Sequence, residues 1–131
     1  MENKEQELMF QLSMFEQQIQ SIHQQIEAVE RAIIDLSSLV LGLDDLKGSE
    51  GKEVLAPIGR GIFAKTKLIS EKLLVDVGGK NLVVKDISST QNIIKEQVKK
   101  LEEAREELNK ALEEINKQLT ELILSAQKGK E

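Results

Sequence analysis

From Leu8 onward apolar side chains recur at alternating intervals of four and three: Leu8, Leu12, Phe15, Ile19, Ile22, Ile26, Val29, Ile33, Leu36, Val40 and Leu43. That spacing is the a/d seam of a coiled coil, and it predicts a helix of roughly 40 residues, ~60 Å long at ~1.5 Å per residue. Gly42, Gly48 and Gly51, with Asp44, Asp45 and Ser49 among them, supply stop signals, so a helix over 4–46 should fray between Leu43 and Lys47. A second seam runs through Ile94, Val98, Leu101, Leu108, Leu112, Ile115, Leu119, Leu122 and Ala126, with Gln91 and Arg105 in its register. It predicts a helix over 88–127. Ser88 followed by Gln91 has the spacing of a capping box, and Asp86 is an alternative cap.

Between the helices, Glu53 to Lys85 is short, β-branched and punctuated by glycine, and it holds the only proline. Val54–Ile58 and Ile62–Leu68 read as strands across Gly59-Arg60-Gly61, and Leu73–Val77 and Leu82–Lys85 as a second pair across Gly78-Gly79-Lys80-Asn81. Pro57 belongs near a strand end or on an edge, because it has no N–H to give a ladder.

The two seams match in length, so the helices should pair antiparallel outward from the strands, with Leu43 facing Ile87 and Leu8 facing Leu122. The expected fold is mainly α with a small β region: one domain over 1–131, a long antiparallel two-helix coiled coil joined by two β-hairpins (53–85). A sheet that small leaves an apolar face and unpaired edges that one chain cannot cover. Oligomerisation through Val54, Ile58, Ile62, Ala64, Leu74, Val77, Leu82 and Val84 follows as an expectation.

Composition sharpens this picture. The chain of 131 residues is 31% charged and only 2% aromatic, so buried area must come from aliphatic stripes rather than a thick core. Glu96 with Lys100, Glu106 with Lys110 and Glu113 with Lys117 stand four apart on the second helix and mark a solvated face. A net charge of −5, without a basic stripe, argues against nucleic acid. No cysteine is present, and no apolar run reaches bilayer length, so a cytoplasmic protein without membrane contact is the simplest expectation.

Chemistry finds little footing. His23, the one histidine, sits among glutamines on a long helix and lacks the partners of a base or metal ligand. Gly59 to Thr66, GRGIFAKT, resembles a phosphate-binding loop, but Ala64 replaces the second glycine, the run alternates like a strand, and no helix follows it. Asp44-Asp45 lacks the alternating ligands of a calcium loop. No catalytic, metal or cofactor site is expected, and the chain does not read as an enzyme.

What remains is a surplus of apolar residues off the seams. Met9, Phe10 and Met14 on the first helix and Ile123 and Leu124 on the second crowd the end that both termini share, where the seam residues Phe15 and Leu119 also lie. Methionine and phenylalanine suit a surface that accepts varied apolar partners, and exposed clusters of this kind mark contact sites. Ile34, Leu39, Leu41 and Ile93, off-seam near the strands, are expected to pack the helix roots onto the β region.

The order of elements, with Val54-Leu55-Ala56-Pro57-Ile58-Gly59-Arg60-Gly61 and the Val77-Gly78-Gly79 turn, resembles the prefoldin α-subunit family over essentially the whole chain. The strand motif is similar to that family's V-x-V-P-[IL]-G-x-G, with Ala56 and Arg60 as variations. The resemblance implies hairpins that join an intersubunit β-barrel, a hexamer of two α and four β subunits, and archaeal-type, ATP-independent holding of unfolded polypeptide clients. It also implies delivery to a group II chaperonin. Met9, Phe10, Met14, Phe15, Leu119, Ile123 and Leu124 are then the candidate client-binding residues, by their off-seam or terminal position and not by a family motif. The competing expectation is a structural coiled-coil spacer or filament-forming subunit that binds no client.

Overall fold

The computed structural model describes residues 2–128. Helix α1 spans Glu2–Asp44, strands β1 Glu53–Gly59, β2 Ile62–Lys67, β3 Leu73–Asp76 and β4 Leu82–Lys85 follow, and helix α2 spans Ile87–Lys128. The residues divide into two compact units: Met1–Ile33 with Lys100–Glu131, and Ile34–Lys99. Both helices run through both units.

In the first unit the helix segments lie antiparallel. Gln11 to Gln18 share a groove with Gln118 to Ser125, while Gln25 to Val29 share one with Ala104 to Leu108. Solvent exposure repeats the seam residue by residue: Leu8, Leu12, Phe15, Ile19, Ile22, Ile26 and Val29 are covered while most of their neighbours are exposed. Arg105 is half-buried in the opposite seam and forms no ion pair among the described residues. A long aliphatic stem suits such a half-covered seam position without an ion partner. Of the three spaced charge pairs, Glu106 and Lys110 come within 3.7 Å, and the other two form no ion pair.

The second unit holds the hydrophobic cluster of Leu43, Ile87 and Ile94, with Leu36, Val40, Leu46, Leu73 and Val98 packed against it. Helix α1 ends as three successive turns tighten into i→i+3 bonds: Asp45 N to Gly42 O, Leu46 N to Leu43 O and Lys47 N to Asp44 O. The Gly48 N–H then donates to Glu71 Oε1 at 2.7 Å, which ties the loop to the segment before β3. Helix α2 is capped by Asp86 rather than Ser88: Asp86 Oδ1 accepts from Ser89 N–H at 2.6 Å. Gln91 closes no capping box. Its side chain is buried and donates across to α1, to Val40 O at 3.0 Å and Asp44 Oδ1 at 2.7 Å. Leu43 accordingly packs with both Ile87 and Ile94, and the α1 turn it belongs to is bonded by Gln91, about one turn along α2 from the expected partner.

The four strands form two separate two-stranded antiparallel sheets, β1-β2 and β3-β4, not one small sheet. In the first, Ala56 pairs with Ala64 and Pro57 with Phe63, and a bulge between Pro57 and Gly59 leaves Ile58 without a partner. Arg60 and Gly61 form its turn with φ of 48° and 77°, positive at both positions as a type I′ hairpin turn requires. In the second, Leu74 pairs with Val84 and Asp76 with Leu82, and Val77 N donates to Asn81 O to close the loop.

Candidate functional site

In the first unit, Met9 and Phe10 are 71% and 66% exposed, and Met14, Ile123 and Leu124 are also open to solvent. The helix period explains why. Off the a/d stripe a side chain is not held between the two helices, and these five stay largely open to solvent. Phe15 and Leu119 are half-buried at seam positions. Phe15 and Met14 line an open groove with Gln11, Gln18, Gln118, Glu121, Leu122 and Ser125, so the two classes of apolar residue meet along one side of the helix pair. Glutamines 11, 18 and 118 are the lining residues that apolarity alone passed over. Their signal was positional, since each stands directly before a seam residue.

The strand residues divide by face. Val54 and Ala64 are half-covered within the first hairpin, whereas Ile58 and Ile62 are 72% and 61% exposed. Leu74, Val84 and Leu82 lie on one face of β3-β4, by their pairing, and all three are open, as is Val77 beyond them. The other face of that hairpin carries Leu73, which packs on the helical cluster. Leu55, Phe63 and Val83 are exposed apolar strand residues outside the expected set.

Ile34, Leu39 and Leu41 depart from expectation. They do not pack onto the β region but stand 63%, 47% and 68% exposed, because the hairpin reaches the helices through Leu73 on the seam side. Ile93 alone of that group is partly covered.

Gly59 to Thr66 is the end of β1, a turn and most of β2, and Thr66 Oγ1 donates to Val54 O at 3.1 Å. A hydroxyl spent on the opposing strand, with no helix N-terminus nearby in sequence, makes a poor phosphate cradle. His23 is exposed on α1. Two carboxyls carry electrostatic perturbations, both in the second unit. The Gln91 amide, assisted by Lys47, holds Asp44 below the ordinary carboxylate range, and the Ser89 N–H does the same to Asp86. Each partner bonds the ionised form in a structural role at a helix end. No helix among the described residues is long and apolar enough to cross a membrane.

Known proteins share this arrangement. The family model described as "Prefoldin subunit" matches residues 15–129. Prefoldin subunit alpha of Methanobrevibacter smithii is 33% identical over 99 residues, which cover 75% of this chain and 68% of the relative. That of Methanosphaera stadtmanae is 29% identical over 91 residues, covering 70% and 66%. The match thus spans about two thirds of either relative's length. Among solved structures, a chain from the cryo-EM structure of filamentous PFD from Methanocaldococcus jannaschii superposes with a TM-score of 0.78 at 26% identity, over 86% of this chain and 95% of that one.

Proposed function

Because the chain belongs to the prefoldin subunit family, we propose that it is an α-type subunit of an ATP-independent holdase chaperone that grips unfolded polypeptides near the chain-terminal ends of its two helices. The observation that carries this reading is the exposed cluster of Met9, Phe10, Met14, Ile123 and Leu124. Unfolded chains expose apolar segments in no fixed order, and a surface of flexible thioethers and rings binds such segments without demanding a hydrogen-bond pattern. Each contact is weak. Several subunits acting on one client raise retention by effective concentration, with no nucleotide needed.

The second surface supports assembly. Leucine, isoleucine and valine stand exposed on both small hairpins, whose strand edges are unpaired, and such faces suit contact with a partner chain. We assign those faces to a shared intersubunit β-barrel with prefoldin β subunits, two α to four β, in a cytoplasmic particle that passes clients to a group II chaperonin. On this reading the whole chain, residues 1–131, acts as one prefoldin-like domain.

The test replaces Phe10, Met14, Ile123 and Leu124 together with serine in the assembled complex. Suppression of aggregation of a denatured client should fall severalfold while the native mass of the complex stays unchanged. Full activity in that variant refutes the client site.

A second reading, a filament-forming subunit without client binding, draws support from the filamentous description of the solved neighbour. Light scattering over rising concentration separates the two. A holdase particle keeps one mass, whereas a filament subunit grows and does so independently of client.

A further inference from the structure

Two open grooves run along the helix pair of the first unit, one lined by the apolar residues Met14, Phe15 and Leu122 and the other by Val29 and Leu108. Both open on one flank, because Gln18 and Gln25 on α1 stand seven residues apart and Glu107 and Glu121 on α2 fourteen apart, whole heptads in each case. Each groove has a single ionised residue in its lining, and in both it is a glutamate: Glu121 in the first and Glu107 in the second. Both glutamates are exposed, and neither forms an ion pair among the described residues.

Glu114 stands midway on the same line of α2, seven residues from each, exposed and accepting from Gln118 Nε2 at 3.4 Å. Only at its ends, a further heptad out, does that line turn basic, at Lys100 and Lys128. Lys110 and Lys117 lie on a neighbouring line and His23 elsewhere on α1, and none of the three lines either groove. Lys110 is engaged by Glu106 at 3.7 Å. The balance over the whole unit has the same sign. Residues 1–33 and 100–131 hold fourteen carboxylate side chains against eight lysines and arginines, whereas residues 34–99 hold nine against ten. The excess negative charge of the chain therefore belongs to the unit that carries the two grooves and the exposed Met9 and Phe10.

We propose that this flank selects, among unfolded polypeptides, segments in which lysine or arginine is interspersed with apolar residues, with Glu107, Glu114 and Glu121 as the selecting groups. Charge complementarity identifies the occupant. A lysine or arginine laid across such a groove rests its aliphatic stem on the apolar lining and brings its charged head to the glutamate, whereas an acidic segment meets like charge in both grooves. A second copy of the same helix pair is a poor occupant for the same reason, since its own excess is negative. The inference rests on the client-holding reading and narrows it: the apolar residues supply affinity for any unfolded chain, and the three glutamates supply a preference among chains.

The test uses the assembled complex and three unstructured peptides of equal apolar content, one net basic, one neutral and one net acidic, with binding followed by fluorescence anisotropy at low and high salt. The wild-type complex should bind the basic peptide about tenfold more tightly than the acidic one at low salt, and high salt should shrink the gap, because exposed charges are screened. Joint replacement Glu107→Gln, Glu114→Gln and Glu121→Gln should remove most of that preference with helicity unchanged, since glutamate and glutamine are near equals in helix propensity. A control that removes the same charge, Glu16→Gln, Glu102→Gln and Glu113→Gln, alters residues that line neither groove and should keep the preference within about twofold of wild type. A wild-type preference below about threefold, a groove variant that retains it, or a control that loses as much as the groove variant overturns the selective flank and leaves the client-holding reading standing. Failure of the wild type to bind any of the three peptides overturns both.

Discussion

Asp86 and Asp44 show how much a single carboxyl does at a helix end. Asp86 accepts the Ser89 N–H that α2 leaves unpaired, and Asp44 accepts the amide that Gln91 sends across from α2. Both bonds favour the ionised form, so both folded-state pKa values lie below the ordinary one. Such a group contributes its stabilisation in full above the unfolded value of about 3.9, and loses it as pH falls through the lower folded value. The melting temperature should therefore decline below about pH 4. Asp86→Ala should lower it at neutral pH and converge with wild type in acid, while Asp86→Asn, a cap that cannot titrate in this range, should flatten part of the slope. Gln91→Leu removes the largest cause of the Asp44 perturbation, and an NMR titration should find that carboxyl moved up toward its ordinary value. The sequence allowed Ser88 or Asp86 as the cap, because both have donors within reach. It did not disclose the partner of Gln91, which becomes visible only when the end of α1 lies alongside.

At the scale of elements the seam was fully legible, because a strict a/d repeat on a helix leaves one stripe to bury and the partner stripe has the same repeat. Ile26, among the best-covered residues of α1, tests it: Ile26→Ala should cost about 2 kcal/mol in chemical denaturation, the low end for such truncations, because few neighbours surround it. Two glycines test the reading of the ends and turns with opposite signs. Gly42 lies inside α1, and a methyl group there meets nothing within 4 Å, so Gly42→Ala should stabilise by about 0.5–1 kcal/mol. Gly61 has equal space but a φ of +77°, so Gly61→Ala should weaken the first hairpin by about 1–2 kcal/mol. That loss should appear in amide exchange of β1 and β2 and leave the helical circular dichroism unchanged, since β1-β2 is a separate sheet. The separateness of the two sheets was not legible. Alternation and turn glycines specify which strands are neighbours within a hairpin, but not whether one hairpin bonds to the next.

Across the molecule as a whole, apolar surface is distributed in a way no single element explains. Leu74, Leu82 and Val84 form an open face on the second hairpin, and Met9, Phe10 and Met14 an open cluster in the other unit. If the hairpin face serves assembly, Leu74→Lys with Val84→Lys should reduce the native mass of the complex while the helices persist, and client binding should fall through lost avidity alone. The sequence by itself determined the two helices, the two hairpins and the surplus of apolar residues near the chain ends, because these follow from periodicity and from the backbone freedom of glycine, both local properties. Tertiary structure alone decided that Asp86 caps α2, that Gln91 bonds α1, that the strands form two sheets, and that Ile34 and Leu41 face water. The cap is a choice between two local acceptors, but each of the others depends on which side of a helix or hairpin meets a segment distant in the chain, and a repeat along the sequence carries no information about that meeting.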